Sequence, residues 1–265
     1  MSKLFIGTSG YAYNHWIEVF YPKDLSKSKW LEFYTQYFNT VELNVTFYRL
    51  PQKKAFVGWY QRTPENFRFG VKGSRFITHI KKLKGSEDSL KIFFDQVSAL
   101  REKLGVVLWQ LAPNHQLNID RLEEFCRDLK QASYGRIRHA FEFRHRSWFC
   151  QPVYQILRKY HYALVCADYP FQLKIENQMS SITNQKAEED QEKLIKIPPT
   201  ADFVYLRRHG ATSLYSSNYS DTQLKREAVQ IKEWSGLGKD VYVYFNNDAM
   251  GYAVKNALTL KKMIS

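Results

Sequence analysis

Cysteine is scarce in this chain: Cys126, Cys150 and Cys166 are the only three in 265 residues. They are odd in number and far apart, without the paired spacing of a zinc site or redox motif. The expectation is three buried thiols in a reducing compartment. No uncharged apolar run approaches the roughly 18 residues needed to cross a membrane. Met1-Ser2-Lys3, followed at once by a short apolar strand, lacks the succession of a signal peptide. A cytoplasmic location without a membrane partner follows as an expectation. No glycine-rich phosphate loop follows a strand: Gly7-Thr8-Ser9-Gly10 is too short for a dinucleotide fingerprint, and no Walker motif exists. Internal repeats and interdomain linkers are also missing, so residues 1–265 are expected to form one domain. Acidic residues are the minority, 26 against 39 Lys and Arg, giving a formal net charge of +13 at pH 7.

What is present is ample material for a core, with 44% apolar and 16% aromatic residues, which excludes a disordered chain. Eight short β-type runs recur: Leu4 to Gly7, Thr40 to Asn44, Phe67 to Lys72, Val106 to Gln110, His139 to Phe143, Ala163 to Ala167, Phe203 to Arg207 and Val241 to Phe245. Helical spacing lies between them. Leu90, Phe93, Phe94, Val97, Leu100 and Leu104 make one stripe, with Ser86 placed to cap its start and Gly105 to end it. Ile119, Leu122, Phe125, Cys126 and Leu129 make a second, and Ala253, Asn256, Ala257, Leu260 and Ile264 a third. Strands alternating with helices imply parallel pairing, because each helix returns the chain to the same end of the sheet. Eight such units in about 250 residues match a (β/α)₈ TIM-type barrel. Gln172 to Thr200, between the sixth and seventh strands, is polar and charged and is expected to be an extended loop or lid.

In a barrel the site forms at the C-terminal ends of the strands. Polar residues gather there: Thr8 and Ser9 after the first run, Glu42 and Asn44 in the second, and Lys72 closing the third, with Arg75 and His79 beyond it. Gln110 ends the fourth run; Glu142, Arg144 and His145 belong to the fifth. Asp168 follows the sixth, Arg207 and His209 the seventh, and Asn246, Asn247 and Asp248 the eighth. Charges at strand ends inside a barrel need partners, and such clusters favour sites. Ordinary structural roles stand beside these readings. Glu42 and Glu142 could be internal ion-pair partners, Asp168 a loop cap, His145 a structural donor, and Asn246-Asn247-Asp248 the cap of the last helix. Most of the 42 aromatics are core; Tyr11, Tyr13 and Trp16 are the best candidates for a site wall, and Tyr21, Tyr48, Trp109 and Trp148 could also stack a ring.

At Gly7-Thr8-Ser9-Gly10-Tyr11, Trp16, Phe20-Tyr21-Pro22, Val41-Glu42-Leu43-Asn44 and Thr46-Phe47-Tyr48-Arg49-Leu50-Pro51, the chain resembles the YecE-like family, domain of unknown function 72. Glu142-Phe143-Arg144-His145, Tyr205-Leu206-Arg207-Arg208-His209-Gly210 and Phe245-Asn246-Asn247-Asp248 agree in order. The resemblance covers nearly the whole chain. It implies a TIM-type barrel and carries no particular activity. Ala112 departs from the family's usual second proline, which bears on loop stiffness.

Both charge signs meet on this rim. Lys72, Arg144, Arg207 and His209 suit a carboxylate or phosphate, and Glu42, Glu142 and Asp168 suit proton transfer. The expectation is an enzyme of hydrolase, lyase or isomerase type acting on a small anionic substrate. Glu142 moves a proton in this scheme while Lys72 or Arg207 holds developing negative charge. No motif implies a cofactor. A divalent metal held by Glu42, Glu142, Asp168 and His209 is a second version, though no His-Glu-x-x-His spacing supports it. A glycosidase would need Glu42 and Glu142 opposed across a sugar. The rival from another class is a non-catalytic barrel that binds nucleic acid through its basic surface.

Overall fold

The computed structural model describes residues 2–131, 137–168 and 199–264. Its strands are β1 (Leu4–Thr8), β2 (Thr40–Leu43), β3 (Arg68–Lys72), β4 (Leu104–Gln110), β5 (Arg138–Glu142), β6 (Ala163–Leu164), β7 (Cys166–Ala167), β8 (Phe203–Arg208) and β9 (Asp240–Phe245). Its helices are α1 (Trp30–Tyr37), α2 (Val45–Tyr48), α3 (Lys53–Gln61), α4 (Glu87–Val97), α5 (Ile119–Gln131), α6 (Gln151–Tyr160), α7 (Asp221–Gly236) and α8 (Tyr252–Ile264), with shorter helical turns between them. The result is an α/β fold with parallel sheets. One sheet has the order β1-β9-β8-β7 and the other β2-β3-β4-β5-β6, and every ladder is parallel. A parallel bridge between Ser9 and Glu42 links the first strands of the two sheets.

Each strand is buried on both faces, which is why it reads as a nearly continuous apolar run. Val41, Phe69, Val71, Val107 and Phe141 face the helices. They pack with Leu90, Phe93, Phe94 and Val97 of α4, Leu122, Phe125, Cys126 and Leu129 of α5, and Ala253, Ala257 and Leu260 of α8. Alternate residues point the other way, and there Phe5, Tyr205, Tyr242 and Tyr244 of one sheet meet Val106, Leu108, Ala140 and Ala163 of the other in a second apolar cluster. Backbone approach is close between β1 and β2: a Cβ on Gly7 would lie 2.2 Å from the Thr40 carbonyl oxygen. Gly7→Ala is expected to cost about 3 kcal/mol, since backbone must move to admit the methyl. An unchanged denaturant midpoint would show that these strands can separate freely.

Three local expectations are corrected. The sixth run is not one strand. Ala163–Leu164 pairs with β5 and Cys166–Ala167 with β8, while Val165 between them donates its N–H to Phe141 O at 2.9 Å. The run serves two neighbours in turn and breaks where it changes partner. The first helical stripe ends early: α4 stops at Val97, tighter turns carry the chain to Lys103, and Arg101 at φ 48° breaks them. Gly105 is therefore a residue of β4 rather than a helix stop, and a Cβ there would lie 3.2 Å from Arg68 Cβ. Ser86 does not cap α4 with its side chain. Its backbone is helical, so the buried hydroxyl reaches no N–H of the first turn and has no hydrogen-bond partner among the described residues.

All three cysteines are free; Cys126 and Cys166 are buried, whereas Cys150 is half-buried. The expected long loop falls on residues outside the described ones as far as 198. Thr200, at its end, donates to Tyr162 O at 2.7 Å and accepts from Leu164 N at 2.8 Å. No helix among the described residues is long and apolar enough to cross a membrane.

Candidate functional site

The register decides which side chains share a face. Glu42 lies beside Gly70, Lys72 beside Leu108, Gln110 beside Glu142, and Arg207 beside Tyr244. Glu142 and Arg207 each lie two residues beyond a member of the second apolar cluster, Ala140 and Tyr205 respectively, so alternation points them to the same side. At the C-terminal ends of the strands, this apolar layer therefore gives way to a charged one.

Arg207 is its centre, 1% exposed. Its Nε and Nη2 donate to Glu42 Oε2 and Oε1 at 3.0 and 2.8 Å, a bidentate pair, and Nη1 donates to Glu142 Oε2 at 2.6 Å. The remaining acceptor capacity of both carboxylates is also used. Ser9 Oγ and Tyr205 OH each donate to Glu42 at 2.7 Å. Gln110 Nε2 donates to Glu142 Oε1 at 2.7 Å, with Arg144 Nε at 3.5 Å from the same atom. Burial alone would raise both carboxyls, but Arg207 and these donors hold each below the usual carboxylate range. Both glutamates are 0% exposed and ionised. One guanidinium fills the space between them, so they do not face each other across a sugar-sized gap.

Lys72 is the exception in this layer. Its ammonium nitrogen lies 4.0 Å from the centroid of the Phe47 ring, and it makes no hydrogen bond or ion pair among the described residues. The residue is 8% exposed. Burial first, then repulsion from Arg207 and Arg144, lowers its pKa to about 7 against the opposing pull of Glu142 and Glu42. His79 packs on the same Phe47 ring, centroids 4.9 Å apart. Burial and the charge of Lys72 bring its pKa down to about 4, so the imidazole is neutral near pH 7.

His209 is 0% exposed, with Nε2 at 3.6 Å from Glu142 Oε1. Asn246 Nδ2 lies 3.1 Å from its Nδ1, and donation there leaves the ring proton on Nε2, facing Glu142. Burial lowers its pKa further. Asp168 accepts the His209 backbone N–H at 2.7 Å and the Tyr219 hydroxyl. It fixes the loop after β8 rather than joining Glu42 and Glu142 as a fourth metal ligand. Among the described residues no group of three or more His, Cys, Asp or Glu is placed to hold a metal ion.

Several expected members point elsewhere. Thr8 turns outward to Tyr34 OH at 2.9 Å and Gly10 O at 2.6 Å, and its neighbour Ser9 takes the inner place. Trp16 is fully buried against Tyr13, Phe20 and Tyr21 and donates to Asp248 Oδ1 at 2.7 Å, so it is core rather than a wall. Tyr11 is half-buried, its hydroxyl accepting from Trp59 at 3.1 Å. His145 Nδ1 pairs with Ser147 Oγ at 2.8 Å and caps a short turn. Asn247 Nδ2 donates to Ser217 O and Asn256 Oδ1 at 2.9 and 2.8 Å, tying α8 down. Burial raises Asp248 to about 6, opposed by Trp16 and His15. Asn44 is half-buried at the start of α2, its amide oxygen without a hydrogen-bond partner among the described residues. Tyr205 was not anticipated in the site; the signal was its position two residues before Arg207 on one strand.

The family model for "Protein of unknown function DUF72" matches residues 5–265. UPF0759 protein YunF of Bacillus subtilis (strain 168) is 27% identical over 283 residues, covering 98% of this chain and 94% of that protein. UPF0759 protein YecE of Escherichia coli (strain K12) is 30% identical over 122 residues, 46% of this chain and 43% of that one. The crystal structure of a DUF72 family protein from Thermotoga maritima MSB8 superposes with a TM-score of 0.79 at 29% identity, covering 99% of each chain. One from Enterococcus faecalis V583 has a TM-score of 0.76 at 20% identity, over 98% of this chain and 95% of that one. With a family model spanning all but the first four residues, the chain belongs to the DUF72 family.

Proposed function

We propose that the two sheets close into one single-domain (β/α)₈ barrel whose C-terminal rim binds a small carboxylate- or phosphate-bearing substrate and transforms it by acid/base chemistry of the hydrolase, lyase or isomerase kind. Closure is supported by the Ser9–Glu42 bridge, the Gly10 N–H donated to Glu42 O at 2.8 Å, and the apolar cluster shared by both sheets. The observation that carries the chemistry is the Lys72 amine, buried at a strand end, poised near neutrality and without a hydrogen bond among the described residues. Proton transfer passes to Lys72 in this reading. Glu142, the residue first suited to it, is held ionised by Arg207 and supports the layer instead. Arg144, half-buried at the margin with Nη2 on Tyr215 OH at 2.7 Å, supplies cationic charge for the anion.

Thermal unfolding against phosphorylated and carboxylated metabolites tests the reading. Ligand at about a hundred times its dissociation constant adds roughly 2.7 kcal/mol, a readable shift. Arg144→Ala is expected to weaken anions at least tenfold and leave neutral isosteres unaffected. Equal loss for both would sink the anion assignment. A second reading, single-stranded nucleic acid on the rim, is favoured by Tyr48 at 78% and Phe76 at 47% exposure, with Arg49 and Arg75 beside them in sequence. Stabilisation by oligonucleotides alone, erased by salt, would select it.

A further inference from the structure

We infer that Lys72 is a covalent nucleophile: its amine adds to the carbonyl carbon of a small aldehyde or ketone that also bears an anionic group, forming an imine. The inference rests on the reading above and names its substrate class.

Geometry makes the amine available. The two carboxylates that act on it electrostatically, Glu42 and Glu142, are both engaged by Arg207. The face of Phe47, 4.0 Å away, attracts the ammonium form but makes no claim on the lone pair of the neutral amine. The nitrogen thus keeps a lone pair that no neighbour among the described residues claims. The residue keeps 8% exposure at the strand end. The charged groups acting on it, Arg207 and Arg144 opposed by Glu142 and Glu42, leave about half the amine neutral near pH 7. A solvated lysine is neutral there to less than one part in about a thousand. Desolvated lysines beside other cations are the ones that form Schiff bases.

His79, packed on the same Phe47 ring, is the proton carrier in this scheme. Thr78 Oγ1 donates to Ser74 O at 3.1 Å, so at the 2.9 Å contact with His79 the proton belongs to His79 Nδ1. His79 Nε2 therefore presents a lone pair, from a ring that shares the Phe47 surface with Lys72.

The step balances without an oxidant or reductant. The amine lone pair forms the C–N bond and the carbonyl π pair moves to oxygen. That oxygen takes up the proton the nitrogen loses, carried by His79 Nε2. The nitrogen lone pair then forms C=N as the hydroxyl leaves as water, taking the second proton that the nitrogen gives up. Amine plus carbonyl becomes imine plus water. Once protonated, the imine accepts the electron pair released when an adjacent C–H or C–C bond breaks, the common need of an isomerase and a lyase.

The test is reductive trapping on the full chain at pH 7. Glyoxylate, pyruvate or glyceraldehyde 3-phosphate is added with cyanoborohydride, and peptides are read by mass spectrometry. Propanal serves as the neutral control. Expected is a secondary amine at Lys72 formed at least tenfold faster than at any other lysine, slowed by inorganic phosphate or acetate. Lys72→Arg should lose this fast labelling while keeping the wild-type circular dichroism spectrum; fast labelling that persists elsewhere on the chain would overturn the inference. So would labelling of Lys72 at the rate of surface lysines, and if anions still raised the melting temperature, the anion-site reading would survive. Equal trapping of propanal, without competition by phosphate, would keep the imine chemistry and overturn the anionic substrate class.

Discussion

Replacing Arg207 by methionine is expected to destabilise the protein by about 3–5 kcal/mol at neutral pH, because one guanidinium holds two fully buried carboxylates. The volume is nearly kept, so the loss is electrostatic. In the wild type both carboxyls lie below their ordinary range. The stability they contribute is present above the unfolded pKa of about 4.3 and is lost as pH falls through the lowered folded values. In the variant the sign reverses: unpaired burial raises both groups, so the penalty is largest at neutral pH and shrinks as acid protonates them. Denaturant unfolding of the two proteins between pH 7 and pH 5 should therefore converge. Glu42→Gln with Glu142→Gln in the Arg207→Met background should recover most of the loss. A loss under about 1 kcal/mol, independent of pH, would show that the carboxylates find other partners or water.

The second large effect is the pH dependence contributed by Lys72. Its folded pKa of about 7 lies below its ordinary 10.5. Below pH 7 the folded state must bury an ammonium, and that penalty is complete there. As pH rises from 7 to 10.5 the unfolded chain binds more protons than the folded one, so stability rises across the window. The span corresponds to a gain on the order of 5 kcal/mol. Lys72→Met keeps length and apolar stem and should abolish this slope, while exceeding the wild type in stability by the most below pH 7. The comparison is made as a difference between the two proteins. Tyr205, Tyr219 and Tyr244 have phenols raised by burial and act in the opposite sense above about pH 10, equally in both. Parallel curves from pH 7 to 10 would mean that the ammonium is solvated, and the nucleophile inference would lose its chemical basis.

Much of the architecture was legible in the chain. Apolar runs flanked by turn residues marked the strands, and three- and four-residue spacing marked α4, α5 and α8, because burial on fixed faces imposes those periods. Position at the strand ends was enough to gather Glu42, Lys72, Gln110, Glu142 and Arg207, together with others, such as Thr8 and Asp168, that turn elsewhere. It could not separate Thr8 from Ser9, since one residue of register turns a side chain from one face of the sheet to the other. Nor could it place Trp16, whose indole N–H donates to Asp248, 232 residues away in sequence. The break at Val165 was equally invisible, because it arises from which strand lies on either side.

The sequence by itself determined most of the strands, their order and the polar identity of the strand ends. Those follow from local periodicity and from the cost of burying charge. Which charge neutralises which was decided only by the tertiary structure. Arg207 engages both carboxylates, with Arg144 3.5 Å from Glu142, and Lys72 has no acid partner among the described residues. A pKa is set by distances and burial that exist only once remote strands lie side by side. For that reason Glu142, the acid/base group suggested by type and position, is held as an anion by Arg207, and the reactive group proposed is a lysine.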